Sequence, residues 1–185
     1  KQVLEKIKKL KSFGGTQIML QGGLHPDVTI DYYIQLLRDI KKHFPDIYIH
    51  SFSVCEIVHI SKKSKISIEE TLRRLNEAGL DSLPGAAEIL VDRVRKIVSN
   101  NKVKTTEWLD VMRTAHRIGM KTTATMTFGM VETLEERIIH LAEIRKLQDE
   151  TNGFRAFIPW TFSPYRTKFP DIQPLNGIEY LKTVA

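Results

Sequence analysis

Five short apolar stretches alternate with amphipathic helical segments along this chain, and that alternation constrains its fold more than any other feature. The stretches cover residues 16–20, 47–50, 80–83, 121–127 and 154–160 and read as strands. Between them, apolar residues recur at helical spacing. Val3, Leu4, Ile7 and Leu10 mark a helix over 1–13, and Ile30, Tyr33, Ile34, Leu37 and Ile40 mark a second. Shorter helices are expected over 54–62, 88–98 and 106–118, the last carrying Trp108, Met112, Ala115 and Ile118. Two capping boxes, Ser67-Ile68-Glu69-Glu70 and Thr133-Leu134-Glu135-Glu136, predict two further helix starts. The first of these helices places Ile68, Leu72, Leu75 and Ala78 on one face, and the second Leu134, Ile138, Leu141 and Ile144. Asn152-Gly153 would signal a hairpin between two strands, but it follows a helix and reads as its C-cap.

A strand that returns through a helix pairs in parallel with its neighbour. Open doubly wound sheets and closed (β/α)₈ barrels both satisfy this order. No G-x-G-x-x-G opens a helix, which disfavours the dinucleotide-binding sheet. Five strands are too few to close an eight-stranded barrel. The expected class is therefore α/β, a partial barrel or an open one of about six strands.

Composition narrows the function classes. The 185 residues are 42% hydrophobic and 27% charged, an ordinary globular balance. No apolar run is long enough to span a bilayer, and the opening Lys1-Gln2 is unlike a signal peptide, so no membrane is expected. The single cysteine, Cys55, allows neither an internal disulfide nor a cysteine-based metal site, and fits a reducing, cytoplasmic compartment. The net charge of +6 comes from dispersed lysines and arginines without interleaved aromatics, which suits solvated helix faces rather than nucleic-acid binding. The chain starts and stops inside apparent helices, as one incomplete domain of a longer protein would. Such a partial barrel would expose sheet edges and apolar strand faces, and poor stability is expected of it.

In parallel α/β folds, ligands bind at the C-terminal ends of the strands. The residues at these exits are Gln21-Gly22-Gly23-Leu24-His25-Pro26, His50-Ser51-Phe52-Ser53, Pro84-Gly85-Ala86-Ala87-Glu88, Thr123-Ala124-Thr125-Met126 and Pro159-Trp160-Thr161-Phe162. A ring of polar, glycine and aromatic residues suits a nucleoside-like ligand. Each piece also has a structural reading: the glycines turn the chain, His50 ends a strand, Glu88 favours a helix N-terminus, and Trp160 fills a core. Thr123 and Thr125 share one face of their strand. The six histidines are scattered; His25, His50 and His116 are the ones that could converge on a metal, but there is no H-E-x-x-H and no nucleophile elbow G-x-S-x-G.

The same exits carry a resemblance. Gln21-Gly22-Gly23-Leu24-His25-Pro26-Asp27, His50-Ser51-Phe52-Ser53, Ala78-Gly79-Leu80-Asp81-Ser82-Leu83-Pro84-Gly85, Ala87-Glu88-Ile89-Leu90 and Phe157-Ile158-Pro159-Trp160-Thr161-Phe162 resemble the radical S-adenosylmethionine cyclases of the futalosine route to menaquinone, the cyclic dehypoxanthine futalosine synthases. The likeness covers nearly the whole chain. Gln148-Asp149-Glu150-Thr151 with Phe157-Ile158-Pro159-Trp160 resembles this branch more than the sister aminofutalosine and deazaflavin synthases. The resemblance implies a radical SAM (β/α) TIM-type barrel, an enzyme, S-adenosylmethionine, and a [4Fe–4S] cluster on three cysteines. Those cysteines would lie outside this chain, since C-x-x-x-C-x-x-C is absent. It further implies a small nucleoside substrate and an external electron donor. A 5′-deoxyadenosyl radical would take hydrogen from the substrate ribose, and the carbon radical would close onto the aromatic ring. Gln21, Gly22, Gly23, His50, Ser51, Glu88 and Thr125 match positions near the cofactor, and His25, Thr123 and Trp160 positions near the substrate. The chain departs from the family at Tyr48, usually histidine, and at Cys55. The loop Pro84-Gly85-Ala86-Ala87-Glu88 is also shorter and poorer in glycine than usual.

Overall fold

The computed structural model describes residues 2–185. Along it run α1 (Gln2–Ser12), β1 (Gln17–Ile18), α2 (Ile30–His43), β2 (Tyr48–Ile49), α3 (Val54–Ser64), α4 (Ile68–Glu77), β3 (Ser82–Leu83), α5 (Asp92–Val98), α6 (Thr105–Arg117), β4 (Lys121–Phe128), α7 (Leu134–Thr151), β5 (Phe154–Thr161) and α8 (Gly177–Val184). None of these helices is long and apolar enough to cross a membrane.

All strand pairings are parallel. Gln17 and Ile18 register with Tyr48 and Ile49, and the contact runs on to a Phe52 N–H···O Leu20 bond of 3.0 Å. A bridge between His50 and Ser82 joins β2 to β3, which pairs with β4, which pairs with β5. Spatial order therefore follows chain order and never reverses. Because β-helix-β crossovers are right-handed, a sheet wound in one direction carries its crossover helices on one face. That excludes the doubly wound alternative and leaves an arc of a barrel, unclosed among the described residues.

The outer face is the core. Ile18, Ile49, Leu83 and Ala124 point to the helices and are buried with Leu37, Ile40, Leu72, Trp108 and Met112, while Met126 and Phe128 form a second cluster with Ile89 and Val94. The inner face carries Gln17, Met19, Tyr48, His50, Thr123 and Thr125 by the strands' alternation. β4 and β5 slip by one residue between Thr122 and Thr123, so that Phe154 opposes Thr122 and Ala156 opposes Thr123. Arg155 is the extra residue of this bulge, and the bulge turns it to the inner face. There its Nη2 donates to Gln17 Oε1 at 3.0 Å and its guanidinium lies 4.6 Å from the Tyr48 ring centre. One side chain thus braces the last strand against the first two.

Three expectations need correction. The helix expected over 88–98 begins at Asp92. Ala86 and Glu88 hold left-handed backbone (φ +44° and +50°), and the Arg95 guanidinium takes the Ala87 and Ile89 carbonyls. On α7, Leu134 and Ile138 are exposed, while His140, Ile144 and Leu147 form the buried stripe. A histidine that reads as polar belongs to the core, so the stripe lies off the line of the leucines and isoleucines. At α4, Ser67 Oγ accepts from Glu70 N–H at 3.1 Å, but the reciprocal half of the box is not formed. Complete boxes stand at Thr133/Glu136 and, without having been expected, at Ser53/Glu56 and Asn176/Glu179. Asn152 is the left-handed C-cap of α7, as expected.

Candidate functional site

The exits of all five strands border a cavity of about 550 Å³ on the inner face. That volume is in the range of sites that enclose small organic ligands. Gln21 and Gly23 enter it from the loop after β1, His50 from β2, Glu88 from the loop after β3, Thr123 and Thr125 from β4, and Ile158 and Trp160 from β5.

The third loop, residues 84–91, has six of its backbone polar groups answered by side chains from outside the loop. Thr123 Oγ1 accepts from Gly85 N–H at 3.1 Å, and Thr125 Oγ1 from Ala87 N–H at 2.9 Å. His140 Nδ1 accepts from Leu90 N–H at 3.0 Å. Trp108 Nε1 donates to the Gly85 carbonyl at 2.8 Å, and the Thr127 N–H to the Glu88 carbonyl at 3.0 Å. Arg95 Nη1 donates to the Ala87 carbonyl at 2.5 Å and Nε to Val103 at 2.8 Å. Buried loops of this kind survive only when their polar groups are paired. Strain remains at Ala86, where an L-residue in left-handed backbone costs roughly 1–2 kcal/mol. Ala86→Gly should therefore raise the unfolding free energy by about 1 kcal/mol, read as a higher denaturant midpoint.

Glu88 is the loop's charged contribution. Lys102 Nζ pairs with its Oε1, and Arg95 Nη1 stands 3.9 Å from Oε2. Oε2 is buried and has no hydrogen-bond partner. Glu88 lines the cavity, and this unsatisfied acceptor is suited to a hydrogen bond from a ligand hydroxyl. The expected helix N-terminal role falls away, since α5 starts at Asp92.

His50 Nδ1 lies 2.8 Å from Ser82 Oγ, and Nε2 lies 3.5 Å from Thr123 Oγ1. Burial, aided by the Arg155 charge, pushes its pKa down to about 4, so it stands neutral in the mouth. Burial does the same to His116, with Lys121 adding to it, and to His140, with Arg95 adding to it, both to about 4. An unfolded chain would protonate these imidazoles between pH 6.5 and 4, while the folded chain resists. Their contribution is full above about pH 6.5 and is lost as pH falls toward 4. Denaturant melts at about pH 7.5 and pH 5 should show a loss of roughly 2 kcal/mol or more at the lower value.

Of the residues singled out from sequence, Gln21, Gly23, His50, Glu88, Thr125, Thr123 and Trp160 meet around the one cavity. Gly22 and Ser51 stand behind the wall: Gly22 N–H donates to Glu56 Oε1 at 2.9 Å, and Ser51 Oγ accepts from Leu20 N–H at 2.8 Å. His25 lines a separate cavity with Val28, Tyr32 and Tyr33. The possible convergence of His25, His50 and His116 does not occur. His116 lies on the helix side, between Thr151 Oγ1 and Thr122 Oγ1 at 2.7 Å each, with the Phe154 ring edge-on. Sequence alone does not single out Arg95, Trp108, His140, Glu56 or Lys102. Their partners lie up to 50 residues away, and the one local signal is the Ser53-x-x-Glu56 box.

No three histidine, cysteine, aspartate or glutamate residues gather among the described residues, and Cys55 is the chain's one thiol. An iron–sulfur cluster therefore finds no ligand set here. S-adenosylmethionine does fit: the cavity has nucleoside size, and the unpartnered Glu88 Oε2 offers an acceptor to a ribose hydroxyl.

Comparison with known proteins places this geometry. Over 184 residues the chain is 48% identical to a cyclic dehypoxanthine futalosine synthase of Halalkalibacterium halodurans, covering 99% of this chain and 50% of that one. It is 49% identical over 165 residues to a 5-amino-6-(D-ribitylamino)uracil–L-tyrosine 4-hydroxyphenyl transferase of Methanosarcina acetivorans, covering 89% and 44%. The chain thus spans about half the length of the curated relatives it matches. Near-equal identity to two differently named enzymes means that overall similarity does not choose between them. Among solved structures, methylornithine synthase (PylB) superposes with a TM-score of 0.69 at 17% identity, over 98% of this chain and 51% of that one. Coproporphyrinogen III oxidase (HemN) of Escherichia coli, a radical SAM enzyme, gives 0.65 at 17%, over 98% and 42%. Both share the fold, and a family model described as the radical SAM superfamily matches residues 1–144. This chain belongs to the radical SAM superfamily, whose enzymes use S-adenosylmethionine and a [4Fe–4S] cluster.

Proposed function

We propose that this chain is the cofactor-binding arc of a radical SAM cyclase that converts dehypoxanthine futalosine to its cyclic form in menaquinone biosynthesis. The observation that carries the reading is the reach of the likeness: it extends over 184 residues for such a synthase, against 165 for the Methanosarcina acetivorans transferase. Gln21 and Gly23 would meet the amino-acid end of S-adenosylmethionine, with Gly22 held behind them by Glu56, Glu88 at a ribose, and His50, Ser51 and Thr125 shaping the wall. Thr123 and Trp160 would serve the nucleoside substrate, Trp160 by presenting a half-exposed indole as a stacking surface, while His25, which lines the neighbouring cavity, would take no part there. S-adenosylmethionine supplies a 5′-deoxyadenosyl radical when it is reductively cleaved. What this chain contributes is enclosure and orientation. A neutral His50 adds no charge of its own to the mouth, and buried threonines hold its loops rigid. Cluster ligands and an external electron donor would come from outside these residues, in a cytoplasmic setting without nucleic acid or membrane.

A second reading has its own support in the 49% identity to the uracil–tyrosine transferase. One experiment separates them. The full-length protein, reconstituted anaerobically with iron and sulfide, is given S-adenosylmethionine and a reductant with either dehypoxanthine futalosine or tyrosine plus 5-amino-6-(D-ribitylamino)uracil. The cyclic nucleoside, formed with 5′-deoxyadenosine, is the expected product by mass spectrometry. Conversion of the second pair alone would replace this reading with the other, and a protein that holds no cluster after reconstitution would remove both.

A further inference from the structure

The loop that leaves β1 has little to hold it from within. Residues 21–25 are exposed and pair in no strand or helix. A Cβ built on Gly22 or Gly23 would meet nothing within 4 Å, so packing does not restrain the loop, and two adjacent glycines make it conformationally costly to order. Its restraint comes from the segment after β2. Ser51 Oγ accepts from Leu20 N–H at 2.8 Å, and Glu56 Oε1 accepts from Gly22 N–H at 2.9 Å. The other Glu56 oxygen accepts from the Ser53 N–H and Ser53 Oγ, both at 2.7 Å. Glu56 is only 5% exposed. One buried carboxylate therefore closes the N-terminus of α3 and clips the exit loop of β1. Three of its roughly four acceptor positions are already taken, which makes it a poor ligand and a good clamp.

We propose that Glu56 is a positioning residue for cofactor binding. By fixing the Gly22 peptide, it presents Gln21 and Gly23 to the mouth in one orientation before the ligand arrives, and so lowers the ordering cost of binding. The proposal rests on the reading that this loop meets S-adenosylmethionine. The bland alternative is that Glu56 only caps α3, a role that Ser53 shares and the loop does not need.

The test uses the full-length, cluster-reconstituted protein and two readouts: amide hydrogen exchange of residues 20–23 before any S-adenosylmethionine is added, and S-adenosylmethionine affinity by equilibrium titration. Glu56→Ala should speed exchange of the loop about tenfold and weaken affinity about tenfold. Glu56→Gln, which keeps the shape but has a single acceptor oxygen for two sets of donors, should move both readouts in the same direction and covers the case in which the alanine variant fails to fold. Ser53→Ala should loosen the first turn of α3 and leave loop exchange within about twofold. Loop exchange unchanged in both Glu56 variants would overturn the proposal and reduce Glu56 to a helix cap. Faster loop exchange with unchanged affinity would overturn it as well. If the parent protein binds no S-adenosylmethionine, it is the cofactor reading that fails, and the exchange comparison still decides whether Glu56 clips the loop.

Discussion

Gly85→Ala should destabilise the protein by about 3–5 kcal/mol and abolish ligand binding in the strand-end mouth. A Cβ at this position would stand 2.6 Å from the Thr125 backbone nitrogen, 2.8 Å from Thr125 Cγ2 and 2.9 Å from the Ala124 carbonyl carbon. Two of these three atoms are backbone of β4, which is paired on both sides and cannot retreat. The loop must lift instead. Lifting it separates Gly85 N–H from Thr123 Oγ1 and the Gly85 carbonyl from the Trp108 indole. Trp108 is fully buried, so its N–H would be left without water or partner, a loss of about 1–3 kcal/mol before the steric strain is added. Gly22→Ala is the control: nothing lies within 4 Å of the new methyl group, and its effect on the denaturant midpoint should stay within about 0.5 kcal/mol. Equal losses in the two variants would show that close approach to β4 is not what makes Gly85 necessary.

Arg95→Met should cost a similar amount, about 3–5 kcal/mol, for an electrostatic reason. Arg95 is 4% exposed and reaches the carbonyls of Ala87 and Val103, with the Ile89 carbonyl at 3.4 Å. Burial lowers its pKa while the Glu88 charge opposes that shift, so the guanidinium and the carboxylate sustain each other. Methionine replaces the aliphatic stem and leaves carbonyls and a carboxylate facing an apolar side chain. Lysine would keep the charge but not the planar fork that reaches separate carbonyls. The check is a double-mutant cycle read by denaturant unfolding. Adding Glu88→Gln to Arg95→Met should recover at least about 1 kcal/mol, and strict additivity would show that the two groups are not coupled.

The alternation of strands and helices is a local property, and it is legible in the sequence. So is the position of a residue at a strand exit, which is why Gln21, His50, Glu88, Thr123, Thr125 and Trp160 meet around one cavity. The direction a group faces is another matter, because the partner strand sets it. Ser51 and Gly22 occupy exits yet turn away from the mouth, Ser51 Oγ to the Leu20 N–H and the Gly22 N–H to the Glu56 carboxylate. The left-handed residues Ala86 and Glu88 are not glycines, so nothing in the sequence marks the turn at Glu88, and the helix reads as starting there rather than at Asp92. His140 illustrates the same limit from the opposite side. It breaks an apolar stripe on α7 and looks solvent-facing, but a loop 50 residues earlier needs its ring nitrogen in the core. The strands are also shorter than the apolar stretches suggest: β1 to β3 pair over only two residues each, and single backbone bonds such as Tyr48 N–H to Thr16 and Phe52 N–H to Leu20 carry the contact beyond them.

The Arg155 brace carries a consequence for biosynthesis. Gln17 and its partner on β5 are separated by 138 residues. At ordinary elongation rates, about seven to thirty seconds pass between their emergence from the ribosome. During that interval β1 and β2 can pair and bury Ile18 and Ile49, but the curvature of the sheet has nothing to pin it from the inner side. Each nascent intermediate presents a growing parallel edge whose next strand has yet to be made. The curl that shapes the mouth is therefore a late event in the life of the polypeptide, and synthesis at low temperature or with abundant chaperones should raise the soluble yield more than it would for a protein held by local contacts.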